Sequence, residues 1–133
     1  MRSLLLLPLI LLGACETTRP YAPVRDIRYQ ALGAEPFWVL AIGDDRIVLN
    51  TGQQGIPALD ANGDGIWPRT LPRTLDGVRT WESSHGDSRI VIEARPGPCT
   101  TEGGEVYADA VVVRVPELAL TGCGGRRIGR ERG

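Results

Sequence analysis

From Ile27 onward, apolar and polar residues take turns. In Ile27-Arg28-Tyr29-Gln30-Ala31 they alternate, the period of two that marks a half-buried strand. Residues 37–42 form a continuous apolar run between Pro36 and Gly43, and Gly43-Asp44-Asp45 turns the chain into a returning strand at 46–51. Residues 52–70 are rich in Gly, Pro and Asp and read mostly as loop. Strands resume at 78–83 and 89–94, with His85-Gly86-Asp87 turning the chain between them. The strongest strand is 107–115, which sets Val111, Val113 and Val115 on one face and Val112 and Arg114 on the other. Pro116-Glu117 turns it into 118–121. No stretch after the N-terminal run keeps a helical period. About seven short strands with frequent turns predict an all-β fold, a small antiparallel barrel or sandwich.

The N-terminus has a different texture. Arg2 precedes an apolar run at 4–12 interrupted by Pro8, and Gly13 and Ala14 lead to Cys15. This is the charged, apolar and small-residue order of an export signal. It falls short of the ~20 apolar residues that a spanning helix needs. Leu12-Gly13-Ala14-Cys15 resembles the lipobox of bacterial lipoproteins, with Gly13 the less usual choice. The competing reading is an ordinary secreted protein with a chance cysteine. The chain holds three cysteines, Cys15, Cys99 and Cys123, and lipidation of Cys15 accounts for the odd one. The remaining two are expected to pair as Cys99–Cys123, since export places them where disulfides persist. The expected organisation is a lipoprotein signal peptide at 1–14, a lipidated tether at 15–24, a β domain at 25–125 and a disordered basic tail at 126–133. Pro20 and Pro23 stiffen the tether, which extended at ~3.1 Å per residue reaches about 25–30 Å.

Charge narrows the function classes. The formal net charge is −1, which argues against a nucleic-acid partner. Every basic residue is arginine, so Schiff-base, pyridoxal-phosphate and P-loop chemistries, each needing a lysine, are excluded. No cofactor is expected.

Gly33-Ala34-Glu35-Pro36-Phe37-Trp38, followed by apolar alternation, and the later Leu120-Thr121-Gly122-Cys123-Gly124 together resemble a family of uncharacterised bacterial envelope lipoproteins. The likeness covers roughly residues 27–125. Where that family often carries a polar Asp-, Met- and Ser-containing stretch after its first cysteine, this chain has Thr100-Thr101-Glu102-Gly103-Gly104-Glu105. The resemblance implies a small β fold in the envelope and assigns no activity.

Three stretches invite chemistry. His85, the sole histidine, lies beside Ser83, Ser84 and Asp87. Triad members converge from separate segments, so a polar hairpin turn is the better reading. One histidine and two paired cysteines also leave no usual zinc set. Asp60-Ala61-Asn62-Gly63-Asp64-Gly65 matches the first half of a calcium loop, with ligands Asp60, Asn62 and Asp64. Pro68 and Leu71 then occupy the places of the ninth ligand and the bidentate Glu, so a surface turn is the competing and stronger reading. Glu35 and Trp38 form the candidate binding site. Phe37 and Trp38 project to opposite faces, so one ring enters the core and the other can flank Glu35 at a rim; packing of both rings is the alternative. Trp67, in the loop-rich segment, would mark a binding surface if exposed. The tail arginines have two readings, contact with anionic headgroups or lipopolysaccharide and a solvated disordered tail.

The expected function is that of a non-catalytic envelope lipoprotein, held by lipid on Cys15, facing the periplasm at the outer membrane and binding an envelope protein or wall ligand. The alternatives are an inhibitor of a wall-degrading enzyme such as lysozyme, a small-molecule enzyme, and a purely structural envelope part.

Overall fold

The computed structural model describes residues 24–131. The expected signal peptide, Cys15 and all of the tether but Val24 lie outside them. The described residues contain no helix and nine strands: β1 Tyr29–Ala34, β2 Phe37–Ile42, β3 Arg46–Asn50, β4 Asp64–Pro68, β5 Arg73–Leu75, β6 Val78–His85, β7 Ser88–Thr100, β8 Glu105–Val115 and β9 Leu118–Arg130. The all-β expectation holds. All ladders are antiparallel, and the strands form one sheet in the order β4-β3-β2-β1-β9-β8-β7-β6-β5.

This is neither of the architectures expected. The sheet is not a sandwich, because all nine strands share one ladder sequence. It is not a closed barrel, because no backbone ladder joins β4 to β5. Instead the sheet curls until β4 meets β6 and the start of β7 through side chains. The Ser83 hydroxyl donates to the Pro68 carbonyl at 2.6 Å, and the Trp67 indole N–H donates to the Ser88 carbonyl at 3.3 Å.

Curling puts one face of the sheet inside. Tyr29 and Ala31 of β1, Trp38, Leu40 and Ile42 of β2, Ile90 and Ile92 of β7, and Val111 and Val113 of β8 are all buried at spacing two. Each fully buried aliphatic side chain contributes roughly 1.5–3 kcal/mol of transfer free energy. Val111, Val113 and Val115 share the buried face as expected, with Arg114 exposed.

Two strands arise where the chain reads as loop. β4 pairs residue by residue with β3, from Arg46↔Pro68 to Asn50↔Asp64. Its composition is poor for a strand, but Trp67 is 1 % exposed, and the burial of that ring outweighs weak local propensity. Gly65 makes this possible, since a Cβ there would meet the Trp67 ring. β5 is a short, wholly exposed edge strand. The tail expectation is also corrected. Residues 126–130 continue β9 and pair with the start of β8, as Tyr107↔Arg127, Val106↔Gly129 and Glu105↔Arg130. Backbone pairing holds this segment, because its side chains are exposed.

Candidate functional site

The two ends of β1 each open on a cleft. At its far end, β1 and β2 are joined by Glu35-Pro36, whose peptide bond is cis, with Ala34 opposite Phe37. Trp38 is 0 % exposed. Its indole N–H donates to the Thr121 carbonyl of β9 at 3.1 Å. Trp38 is therefore core, and its candidacy as a recognition residue is corrected. The exposed ring of the pair is Phe37, 64 % exposed and adjacent to the exposed Glu35. Beside this hairpin, Cys99 of β7 and Cys123 of β9 form the expected disulfide, with an S–S distance of 2.00 Å. The bridge lines a cleft of about 350 Å³ together with Glu35, Glu102, Thr101 and Thr121.

At the near end, Tyr29 opens β1 and points inward. Its hydroxyl donates to Asp109 Oδ2 at 2.8 Å, and the same oxygen accepts from an Arg79 terminal nitrogen at 2.9 Å. Asp109 is a buried carboxylate, so two donors on one oxygen compensate part of its lost hydration. The Arg79 guanidinium also lies 4.9 Å from the Tyr29 ring centroid and 5.4 Å from that of Trp81, and the two rings are 4.9 Å apart. Cation–π attraction therefore holds Arg79 from one side and a salt bridge from the other. Burial first, and then the hydrogen bond to Asp109, push the Tyr29 phenol far above its ordinary range. It stays protonated and donating at every physiological pH.

Backbone irregularity makes room for this cluster. The β8–β9 register shifts between Tyr107 and Asp109, and across the shift Gly125 takes φ +79°, with space for a Cβ only 2.6 Å from Asp109 Oδ2. Any larger residue there would push the carboxylate aside. Above the cluster lies a cleft of about 460 Å³, lined by Arg28, Arg79 and Arg126 with Gln30 and Asp109. Arg28 in turn donates to Asp44 at 2.6 Å, and that hydrogen bond holds the Asp44 carboxyl below its usual range.

The other candidates resolve as turns. Asp60 Oδ1 accepts from the backbone N–H of Asn62 and of Asp64, both at 2.9 Å, and Asp64 Oδ1 accepts from Asn50 at 2.8 Å. These oxygens shape a turn, and the described residues contain no group of three His, Cys, Asp or Glu placed to hold a metal. His85 sits exposed opposite Ser88 at the tip of the β6–β7 hairpin, while the Ser83 hydroxyl is committed to Pro68. Trp67, a possible surface marker, is buried, as is Trp81.

The Tyr29–Asp109–Arg79 cluster was missed in the sequence, though a signal was there. Asp109 occupies the inward register of the valine strand, two residues before Val111. A lone carboxylate on a core face calls for buried partners.

Comparison with protein-family models, with curated proteins and with solved structures gives no match.

Proposed function

We propose that this chain is an envelope lipoprotein, cut before Cys15 and acylated on it, whose β domain binds a periplasmic or cell-wall partner without catalysing a reaction. The observation that carries the proposal is the Cys99–Cys123 bridge. It uses two of the three cysteines and leaves Cys15, behind its lipobox-like run, as the odd one. A diacylglyceryl-type anchor would hold the domain at the membrane, since each buried methylene contributes about 0.8 kcal/mol and a single chain is only marginal. Binding rather than catalysis is supported by the side chains themselves. The single histidine is at an exposed hairpin tip, and the buried Tyr29–Asp109–Arg79 cluster satisfies its own hydrogen bonds. Phe37 beside Glu35 is the exposed aromatic suited to a partner.

The test is metabolic labelling with a fatty-acid analogue in a bacterial host. The wild-type chain is expected to take the label and the Cys15→Ser chain to lose it. An unlabelled wild-type chain recovered from the periplasmic fraction would overturn the proposal.

A further inference from the structure

Two features that are far apart in the sequence meet at one place in the fold. β1 pairs antiparallel with β9, as Ala31↔Gly124 and Leu32↔Cys123. The start of β1 therefore lies beside the basic stretch that begins at Arg126. The chain enters β1 from Val24, which lies against Gly43 at the β2–β3 turn, at the same end of the sheet. So the exit of the N-terminal segment, the end of β9 and the 460 Å³ cleft share one end of the molecule.

That cleft is rich in guanidinium groups. Three guanidinium groups, of Arg28, Arg79 and Arg126, line it against one carboxylate, Asp109. Asp109 is spent on Tyr29 and Arg79, and Asp44 and Asp26 offset Arg28 from outside the lining. Arg126 makes no ion pair among the described residues. Arg79 is fixed by Asp109 and two aromatic rings while its side chain stays 40 % exposed. An immobilised guanidinium loses little freedom on accepting a phosphate.

We propose that this cleft binds the phosphate headgroups of an anionic phospholipid surface, seating the β domain on the membrane. The identity of the surface rests on the proposed acylation of Cys15. The eight residues between Cys15 and Val24 span at most about 30 Å when extended, so a lipid on Cys15 keeps headgroups within reach of this end of the sheet. Charge complementarity then favours the face carrying Arg28, Arg79 and Arg126 over the rest of a chain whose net charge is −1. The arginines act as forked donors to phosphate oxygens.

The test uses the chain of residues 16–133, so that binding can come neither from the lipid nor from the apolar run at 4–12. Its partition is measured onto vesicles of phosphatidylcholine alone and onto vesicles with about a third phosphatidylglycerol; each arginine near an anionic surface is worth roughly fivefold in affinity. Binding is expected on the anionic vesicles only, falling as salt shortens the ~10 Å screening length of 0.1 M solution. Arg126→Glu and Arg28→Glu are each expected to weaken it roughly tenfold or more, since each changes two units of charge. Arg89→Glu, at the opposite end of β7, should leave it unchanged. Equal binding to both vesicle types, or an equal loss with Arg89→Glu, overturns the proposal. So does displacement by 10 mM inorganic phosphate at constant ionic strength (about 10 mM suffices to saturate a weak free-phosphate site), which reassigns the cleft to free phosphate. Because this chain lacks Cys15, the result is independent of the labelling experiment, and either reading can fail alone.

Discussion

The two ends of β1 are held by different physics. At the Ala34 end, an indole and a disulfide close the structure: Trp38 is sealed against Thr121, and Cys99 is bonded to Cys123. At the Tyr29 end, a buried carboxylate is shared by a phenol and a guanidinium. The first end is held by a buried ring and a covalent bond, so truncation or reduction there should cost the most stability. The second is polar, and its net contribution is a small difference between desolvation and pairing. The lesson is that the covalent end supports the fold beside a cleft that carries two carboxylates, Glu35 and Glu102, while the polar end lines its cleft with three arginines.

That contrast can be broken by measurement. Trp38→Ala should have the largest effect, a loss of about 3–5 kcal/mol in urea unfolding, because it opens a cavity and leaves the Thr121 carbonyl without its donor. Replacing both Cys99 and Cys123 by Ala should come next. The bridge spans a sequence separation of 24, which in the chain-entropy picture amounts to about 3.5 kcal/mol; circular dichroism should show the same sheet with a lower Tm. Tyr29→Phe keeps the ring against Trp81 and Arg79 and removes only the hydroxyl, so about 1–2 kcal/mol is expected. A larger loss from Tyr29→Phe than from Trp38→Ala would invert the ordering of the two ends.

The same variant gives a pH signature. The folded Tyr29 pKa is raised above its unfolded value near 10.0, so the native state holds a proton that the unfolded state releases. Its contribution is therefore full below about pH 10 and declines as pH rises further. Tyr29→Phe should flatten that alkaline decline in thermal melts, leaving a smaller slope from Tyr107. That phenol is raised first by desolvation and then by its hydrogen bond to Glu105. An identical alkaline slope in both proteins would remove Tyr29 from the account.

Much of this fold is legible in the sequence through period two, which places Val111, Val113 and Val115 on the inner face without error. Period two says which side chains are buried, not how a sheet bends to bury them, so it cannot separate a barrel, a sandwich and a curled sheet. β4 is hidden because Gly and Pro suppress its local signal, while the deciding interaction is Trp67 reaching the far side of the curl. The end of β9 is hidden for the opposite reason: its side chains face water and its backbone alone is paired. At the candidate site, the disulfide follows from counting cysteines. Trp38 is ambiguous in the sequence because adjacent strand residues face opposite ways, and only the curl that brings its indole to the Thr121 carbonyl of β9 decides which ring is covered. Asp109 was readable as an acid out of place, but Tyr29 and Arg79 lie 80 and 30 residues away, a distance no local pattern bridges.

The strand order has a further consequence. β1 to β4 zip together as sequential hairpins, and β5 to β9 do the same. One ladder, at Ala31↔Gly124 and Leu32↔Cys123, sews the two halves together, with the curl closing the opposite side through Ser83 and Trp67. The disulfide lies wholly within the second half, so no covalent bond other than the chain at 69–72 crosses between them. A single protease cut in that connection would turn one molecule into a non-covalent pair, each piece a self-contained meander wanting its partner's edge.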